Sequence, residues 1–200
     1  MQRKTIRDII SAVLGSILRM SQTKENYWAE FCLDIPLGVV LIFKGLRHND
    51  IHVIEVLLTL LLGLFIFSCL EYSVHRWLFH GSIQFIEQSH RAHHENPKGY
   101  DAVPFFLPSL VILGLTGVFV LLMPTSYAFL LSCAMAFSYV TYGLSHFMIH
   151  HTRFRKPLVR RWAAHHLIHH YHAETNFGVT TPLWDILLGT RNEMLNHKKI

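Results

Sequence analysis

Three long apolar stretches limit what this chain can fold into more than any other feature. They are residues 51–70, 103–123 and 127–148. Each has about the 20 residues that a helix needs to cross a hydrocarbon core of about 30 Å. Only 16% of the residues are charged, whereas soluble domains contain about 25%. These features predict an all-α integral membrane protein rather than a soluble domain.

A fourth segment, 31–46, is apolar but interrupted. It contains Asp34, Pro36 and Lys44, so the sequence leaves open whether it spans the membrane, re-enters it or lies shallowly in it. With this segment included, we predict about four transmembrane helices.

The start of the chain predicts an amphipathic helix that lies on the membrane surface. Apolar residues recur at intervals of three and four from Ile6 to Leu18, while Arg3, Lys4 and Arg7 occupy the other face. This pattern is typical of an interfacial helix rather than a cleaved secretory signal. We therefore divide the chain into an N-terminal amphipathic interfacial helix over 1–30 and a membrane domain over 31–200.

The distribution of lysine and arginine predicts which side of the membrane the chain ends occupy. Five of these residues precede Phe31, eight follow His151, and none lies in the turn 123–126. Because positive charge is retained on the cytoplasmic side, both termini are predicted to be cytoplasmic. Segments 71–100 and 151–200 would then share that side, so that nearly all histidines meet at one face of the membrane.

Thirteen of the 16 histidines fall into four clusters within these segments and at the adjoining helix ends. Residues three or four apart share a face of an α-helix, so the three histidines of HRAHH can converge from one side, and three of HHLIHH can do the same. His146 and His150 are one turn apart. His75 and His80 are separated by about 140° on a regular helix, so they require a helix end or a kink to converge.

Ten histidines have spacings that suit metal binding, and ten ligands fit two metal ions better than one. Neutral imidazole is the commonest metal ligand in proteins. The alternative for any single ring is a hydrogen bond to a head group or water. The ten residues are His75, His80, His90, His93, His94, His146, His150, His166, His169 and His170.

The other histidines have no assigned ligand role. His151, His165 and His172 are ambiguous, because a supporting or surface role suits them as well as ligation. His48, His52 and His197 lie outside the clusters and are interpreted as structural or solvated.

At these residues the chain resembles the fatty acid hydroxylase superfamily, which comprises membrane di-iron oxygenases such as sterol desaturases and fatty acid 2-hydroxylases. The resemblance covers about residues 71–190 and depends on HRWLFH, HRAHH, HFMIHH and HLIHH in that order, followed by NFGVTTPLWDILLGT. It implies that 31–200 is a membrane catalytic domain of four helices with a cytoplasmic cap. It also implies that the ten histidines hold two Fe ions.

Several polar residues are candidates for orienting the ligand rings. Asn176 and Asp185 could hydrogen-bond to the second nitrogens of ligand imidazoles, as outer partners commonly do. The sequence equally allows Asn176 to cap a turn and Asp185 to suit a helix dipole. Further carboxylates lie near the clusters in sequence, and these are Glu71, Glu87, Glu95, Asp101 and Glu174.

The predicted function is O2-dependent hydroxylation of a lipid C–H bond, with a fatty acyl chain as the first choice of substrate. Sterol or carotenoid hydroxylation or desaturation is the alternative within the same superfamily. A metal-dependent membrane hydrolase or a metal transporter is the alternative from another class. Iron is expected because zinc offers no redox change, although zinc can occupy nitrogen-rich sites in purified protein.

The predicted partners follow from that function. The chain has no HPGG haem-binding segment, so electrons are expected from a separate donor resembling cytochrome b5 or a ferredoxin. Phe105, Phe106 and Leu107 are candidates to line a lipid path, with core packing as the competing interpretation. The expected location is the inner membrane in a bacterium or the endoplasmic reticulum in a eukaryote, and no nucleic-acid partner is expected.

Overall fold

The computed structural model describes residues 5–47, 51–100 and 102–192, and within these ranges all regular secondary structure is helical. Short turns and connecting segments join the helices. In chain order, the elements are α1 (Ile6–Ser21), α2 (Lys24–Leu46), α3 (Val53–Ser73), a π-helix (Val74–Phe79), α4 (Gln84–Glu95), α5 (Leu107–Leu122), α6 (Thr125–His151), α7 (Pro157–Tyr171) and α8 (Leu183–Leu187).

Two of the predicted apolar stretches form helices that are long and apolar enough to cross a membrane. All but the first two residues of stretch 51–70 lie in α3, which continues through the π-helix to give Val53–Phe79, and stretch 127–148 lies in α6. Stretch 103–123 forms the shorter α5. The helical character of all three stretches is therefore confirmed.

The interrupted segment 31–46 belongs to a longer helix than the sequence suggested. Helix α2 begins at Lys24, and the Oγ1 of Thr23 caps it by accepting a hydrogen bond from Asn26 N at 3.2 Å. The expected boundary at residue 30 therefore falls inside α2, because a threonine cap begins the helix earlier. Among the described helices, α2 is not one of those apolar enough to qualify as a membrane span.

The predicted N-terminal helix is present as α1, but it ends at Ser21. Its start is fixed by Asp8, whose Oδ2 accepts a hydrogen bond from the backbone N of Thr5 at 2.9 Å. The side chains of Ile9, Ile10 and Leu14 lie outside the described part of the structure. An interfacial location for α1 therefore stays a prediction.

Helix α6 is the central helix of the fold and packs against α2, α3 and α5. Its side chains Cys133, Met135 and Ala136 are buried together with Leu41 of α2 and Ile112 of α5. The C-terminal end of α6 carries His146 and His150, so this packing fixes the position of two candidate ligands.

Small residues allow α3 and α6 to approach closely at one crossing. A Cβ atom added at Gly63 would lie 2.5 Å from the Cβ of Ala134 and 3.1 Å from the carbonyl oxygen of Leu131. Neither of these atoms belongs to a long flexible side chain that could move aside. Position 63 therefore requires glycine for this packing, as is common where membrane helices meet.

We expect Gly63→Ala to destabilise the protein by about 1–3 kcal/mol, because the added methyl group must push α3 away from α6. Gly114→Ala on α5 is the matched control, since a Cβ added at Gly114 meets nothing within 4 Å. Thermal unfolding of both variants in one detergent measures the difference. Equal midpoints for the two variants would contradict the close packing.

An apolar belt faces outward from the helices. Each of its side chains is about half or more exposed, and water would hydrate this surface unfavourably. Lipid chains suit such a surface. Examples are Leu57, Leu58, Leu61 and Leu62 of α3, Leu110, Leu121 and Leu122 of α5, and Val39 and Phe43 of α2.

Candidate metal centre

The ten predicted histidines come together in two groups of five. In each group, one nitrogen from every ring lies within 4.8 Å of the corresponding nitrogen of every other ring. Site A is formed by His75, His80, His90, His94 and His169, and site B is formed by His93, His146, His150, His166 and His170.

The spacing of the nitrogens in site A suits a single ion. The Nε2 of His90 lies 3.1 Å from that of His75, 3.0 Å from that of His80 and 3.1 Å from that of His94. Imidazole nitrogens bound at about 2.0–2.1 Å from one ion would be separated by about 3 Å. The donor set therefore matches the distances that a first-row metal requires.

Site B has the same spacing. The Nε2 of His166 lies 3.2 Å from that of His150 and 3.1 Å from that of His170. The ring of His93 packs within 4.5–5.0 Å of His146, His150 and His170, measured between ring centroids.

Each HxxHH motif contributes to both sites rather than converging on one. In α4, His90 and His94 point into site A and His93 points into site B. In α7 the pairing is reversed, because His166 and His170 point into site B and His169 into site A. Neighbouring helical residues differ in direction by about 100°, so the expected convergence of each triplet from one side was wrong. Each of the two motifs therefore supplies ligands to both sites.

The π-helix aligns His75 with His80. The backbone N of His80 donates to the carbonyl oxygen of His75 at 3.2 Å, which is the i→i+5 bond of a π-helix. The wider turn brings residues five apart to the same face. The requirement for a departure from regular α-helix between these two residues is confirmed.

Backbone carbonyls set the tautomers of two rings in site A. The Nδ1 of His75 lies 2.5 Å from the carbonyl oxygen of Phe177, and the Nδ1 of His169 lies 2.7 Å from that of Thr175. A carbonyl oxygen only accepts, so each Nδ1 must carry the proton and each Nε2 must present a lone pair. These lone pairs point toward other ring nitrogens, an arrangement that a bound cation would stabilise.

Burial keeps the rings neutral near pH 7. It lowers the pKa of His80 to about 4 and that of His169 to about 3, with neighbouring histidines adding to the effect. Burial likewise lowers the pKa of His93 to about 3 and that of His170 to about 2. The nitrogens are thus available for metal binding without first losing a proton.

Asn176 and Asp185 do not hydrogen-bond to the rings of either site within the described structure. Asn176 Nδ2 donates to the carbonyl oxygens of His165 and Asn192, and its backbone is left-handed with φ 57°. Asp185 contacts one ring, that of His165, at 3.0 Å. A direct orienting role was one of two roles that the sequence left open for each residue, and these contacts do not include it, because backbone carbonyls orient the rings of His75 and His169 instead.

Asp185 acts on site A through the backbone. Its Oδ1 accepts from Phe177 N and its Oδ2 from Gly178 N, both at 2.8 Å, and Thr190 Oγ1 donates to it at 2.7 Å. Burial alone would raise the pKa of Asp185, but the hydrogen bonds together lower it below the usual value of an aspartate. The ionised carboxylate thereby fixes the segment whose carbonyl holds His75.

Glu71 fixes the next part of the same segment. Its carboxylate accepts from Val179 N at 2.7 Å and from Thr180 N at 2.9 Å. Glu87 instead pairs with Arg91 on the surface of α4. Glu71 thus supports the loop rather than a ligand ring, and no sequence signal identifies the carbonyls of Thr175 and Phe177, since every residue has one.

The ambiguous histidines lie outside both sites. The exposed His151 stacks on Phe147, His165 bonds to Asp185, and the exposed His172 follows α7. His52 precedes α3, where its backbone N donates to Glu55 at 2.8 Å. His48, Asp101 and His197 lie outside the described residues.

An apolar cavity of about 430 Å³ opens onto both sites. This volume is within the range of about 300–1,000 Å³ that is typical of ligand pockets. Helices α5 and α6 contribute the most lining residues, others come from α1, α2, α3, the π-helix and α4, and His90, His93 and His146 face the cavity. Leu107 lines the cavity as predicted, whereas Phe105 and Phe106 do not.

Comparison with known proteins identifies a matching family, relatives of similar sequence and a solved structure with a similar arrangement of helices. Residues 60–190 match the family model described as fatty acid hydroxylase. A solved structure described as full-length scs7p, with only the hydroxylase domain visible, superposes with a TM-score of 0.74 at 26% identity. That match covers 88% of this chain and 69% of the other.

Two curated proteins illustrate the sequence similarity. The ceramide very long chain fatty acid hydroxylase of Saccharomyces cerevisiae is 29% identical over 182 residues, which cover 84% of this chain. A dihydroceramide fatty acyl 2-hydroxylase of Arabidopsis thaliana is 26% identical over 183 residues and is covered to 74% of its length. The chain spans only 46% of the length of the yeast protein.

Proposed function

Because this chain belongs to the fatty acid hydroxylase family, we propose that it is a membrane enzyme that hydroxylates a C–H bond of a lipid, with a fatty acyl chain as substrate. The observation that carries the proposal is the apolar cavity that opens onto two groups of five histidines. Metal ions and a lipid chain would meet there. Sterol or carotenoid substrates remain the alternative.

The ten histidines would hold two metal ions, one in each site. The donor set is entirely imidazole, which suits iron and also zinc. When bound, iron would supply the redox chemistry that activates O2, and zinc has no such chemistry. In the overall reaction, one oxygen atom enters the C–H bond and the other leaves as water. A separate donor, resembling cytochrome b5 or a ferredoxin, would supply two electrons, and solvent would supply two protons.

The chain's own residues would position the substrate and exclude water. Side chains such as Val111, Ile112 and Leu115 of α5 form an apolar wall that would hold an extended chain. The cavity would guide a C–H bond toward His90, His93 and His146, which face it. Excluding water protects a reactive centre from side reactions.

The topology proposed for the membrane has four spans and a cytoplasmic cap. Helices α3 and α6 would cross the bilayer, α2 and α5 would complete the bundle, and α4 and α7 would form the cap with both termini on the same side. The endoplasmic reticulum or a bacterial inner membrane would house it. The candidate ligands lie in and just after the π-helix, at the end of α6, and on α4 and α7. A transporter would instead carry its ligands near the bilayer midplane.

Incubation of reconstituted, iron-loaded protein with a reductase system, 18O2 and fatty acyl lipids tests the proposal. We expect a hydroxylated product that carries one 18O atom, because the inserted oxygen comes from O2. Mass spectrometry of the extracted lipids measures it. Omission of O2 or of the reductant, or chelation of the metal, should abolish the product.

A parallel incubation with H2(18)O and unlabelled O2 distinguishes hydroxylation from hydrolysis. A hydrolase would take its oxygen from water and would work without a reductant. Labelled product from water, or product formation under nitrogen, would overturn the proposal.

A further inference from the structure

A buried carboxyl group interrupts the apolar wall of the cavity. Glu30, in α2, is only 4% exposed and lines the cavity beside Tyr139. The Tyr139 hydroxyl shares a hydrogen bond with the Glu30 carboxyl group. Among the described residues, Glu30 Oε2 has no hydrogen-bond partner. Leaving such an oxygen unpaired is unfavourable, so its retention in an apolar wall suggests a role in binding.

Glu30 lines the same cavity as three candidate ligands, His90, His93 and His146. The Tyr139 ring lies 6.2 Å from the Tyr142 ring, and Tyr142 stacks on His146 of site B with ring centroids 6.0 Å apart. Two aromatic rings therefore separate the Glu30 carboxyl group from a candidate ligand. A lipid whose reacting C–H bond reached the sites would place a polar group several bonds further along its chain near Glu30.

We propose that Glu30 is a specificity-determining residue whose free carboxyl oxygen accepts a hydrogen bond from an N–H or O–H group of the bound lipid. The protein would then favour amide-linked or hydroxylated lipids over lipids of equal length without a donor. A site built to bond a polar group rejects analogues that lack it, because its own polar atom is left unpaired. The inference deepens the proposed function, since it takes the cavity as the substrate site.

Asp34 provides a matched control on the same helix. It lies one turn after Glu30, is 2% exposed and also has a carboxyl oxygen without a partner among the described residues. Its other oxygen accepts from Ser109 Oγ. Asp34 does not line the cavity. An effect that comes from removing any buried carboxyl group in α2 would appear at both positions, whereas recognition of the lipid would appear only at Glu30.

The test compares two lipids that differ in a single donor, N-ethylpalmitamide and ethyl palmitate. Their affinities for metal-loaded protein in detergent are measured by displacement of a fluorescent acyl probe. We expect the wild-type protein to bind the amide about tenfold more tightly, which corresponds to one hydrogen bond. Glu30→Leu should bind the two lipids equally, and Asp34→Asn should keep the tenfold preference.

Thermal unfolding separates recognition from a structural role. If Glu30 serves the ligand, Glu30→Leu should unfold close to the wild-type temperature, because removal of the unpaired buried oxygen Oε2 offsets the loss of the hydrogen bond to Tyr139. If Glu30→Leu does not fold, the binding preference of Glu30→Gln tests the inference instead. Its amide replaces one carboxyl oxygen by an NH2 group, which cannot accept a hydrogen bond, so the preference should fall about threefold.

Equal binding of both lipids by the wild-type protein would overturn the inference, as would an unchanged preference in Glu30→Leu or Glu30→Gln. Binding requires no turnover, so the two proposals can fail separately. A preference for the amide without O2-dependent product would refute the proposed function alone. Turnover without the preference would refute the role of Glu30 alone.

Discussion

Replacing His169 with alanine is expected to lower the bound metal from two ions to one per chain and to reduce hydroxylation more than about a hundredfold. The His169 side chain is fully buried, and its Nε2 lies 3.0 Å from that of His80. Its removal takes away a donor whose tautomer is fixed by the Thr175 carbonyl. Elemental analysis of purified protein measures the metal, and 18O incorporation measures the activity.

His172 supplies the matched control for this experiment. It belongs to the same histidine-rich stretch, but it is exposed and lies outside both sites. His172→Ala should keep two ions and full activity. Conversely, His166→Ala should empty site B and leave site A occupied. Two ions retained in His169→Ala, or equal losses in His169→Ala and His172→Ala, would contradict the division of the histidines into these sites.

The helices and the ten histidines could be predicted because both depend on local patterns. Apolar stretches of sufficient length form α3 and α6, and the spacing of HRAHH and HLIHH identifies the rings that now meet. The angle between His75 and His80 also predicted a local departure from α-helix, which the π-helix provides. In these cases the determining physics acts over only a few residues.

The division of the ligands between two sites could not be predicted, because it depends on how α4 faces α7. A single helix shows that His93 and His94 point in different directions, but not which partner each will meet. The supporting contacts were missed for a related reason. The rings of His75 and His169 are held by carbonyls of Phe177 and Thr175, and backbone carbonyls leave no mark in a sequence.

The length of α2 was also mispredicted because contacts with distant parts of the chain cannot be read from the sequence. Asp34, Pro36 and Lys44 made the segment 31–46 look interrupted, yet Asp34 and the preceding Glu30 are both buried. Asp34 bonds to Ser109 of α5 and Glu30 bonds to Tyr139 of α6. Such partners lie far away in sequence, so hydropathy alone treats these residues as breaks in a helix that tertiary contacts preserve.

Asp185→Asn is expected to destabilise the protein by about 3 kcal/mol and to weaken metal binding at site A more than at site B. The carboxylate accepts hydrogen bonds from Phe177 N, Gly178 N and Thr190 Oγ1. An asparagine of the same shape has one oxygen, so its NH2 group must face one of these donors. A buried donor that loses its hydrogen bond to a charged carboxylate lowers the free energy of unfolding by several kcal/mol.

Loss of metal from site A before site B would distinguish a local effect of Asp185→Asn from general unfolding, because unfolding would empty both sites. Asp185 holds Phe177, and the Phe177 carbonyl holds the His75 ring of site A, whereas the Asp185 hydrogen bonds reach no ring of site B within the described structure. Chelator titration of the folded variant, followed by metal analysis, should therefore release one ion at a lower chelator concentration than in the wild-type protein. His165→Ala removes only the His165 contact of Asp185 and should leave that release unchanged. Simultaneous release of both ions from Asp185→Asn would show that the carboxylate supports the fold as a whole rather than the orientation of His75.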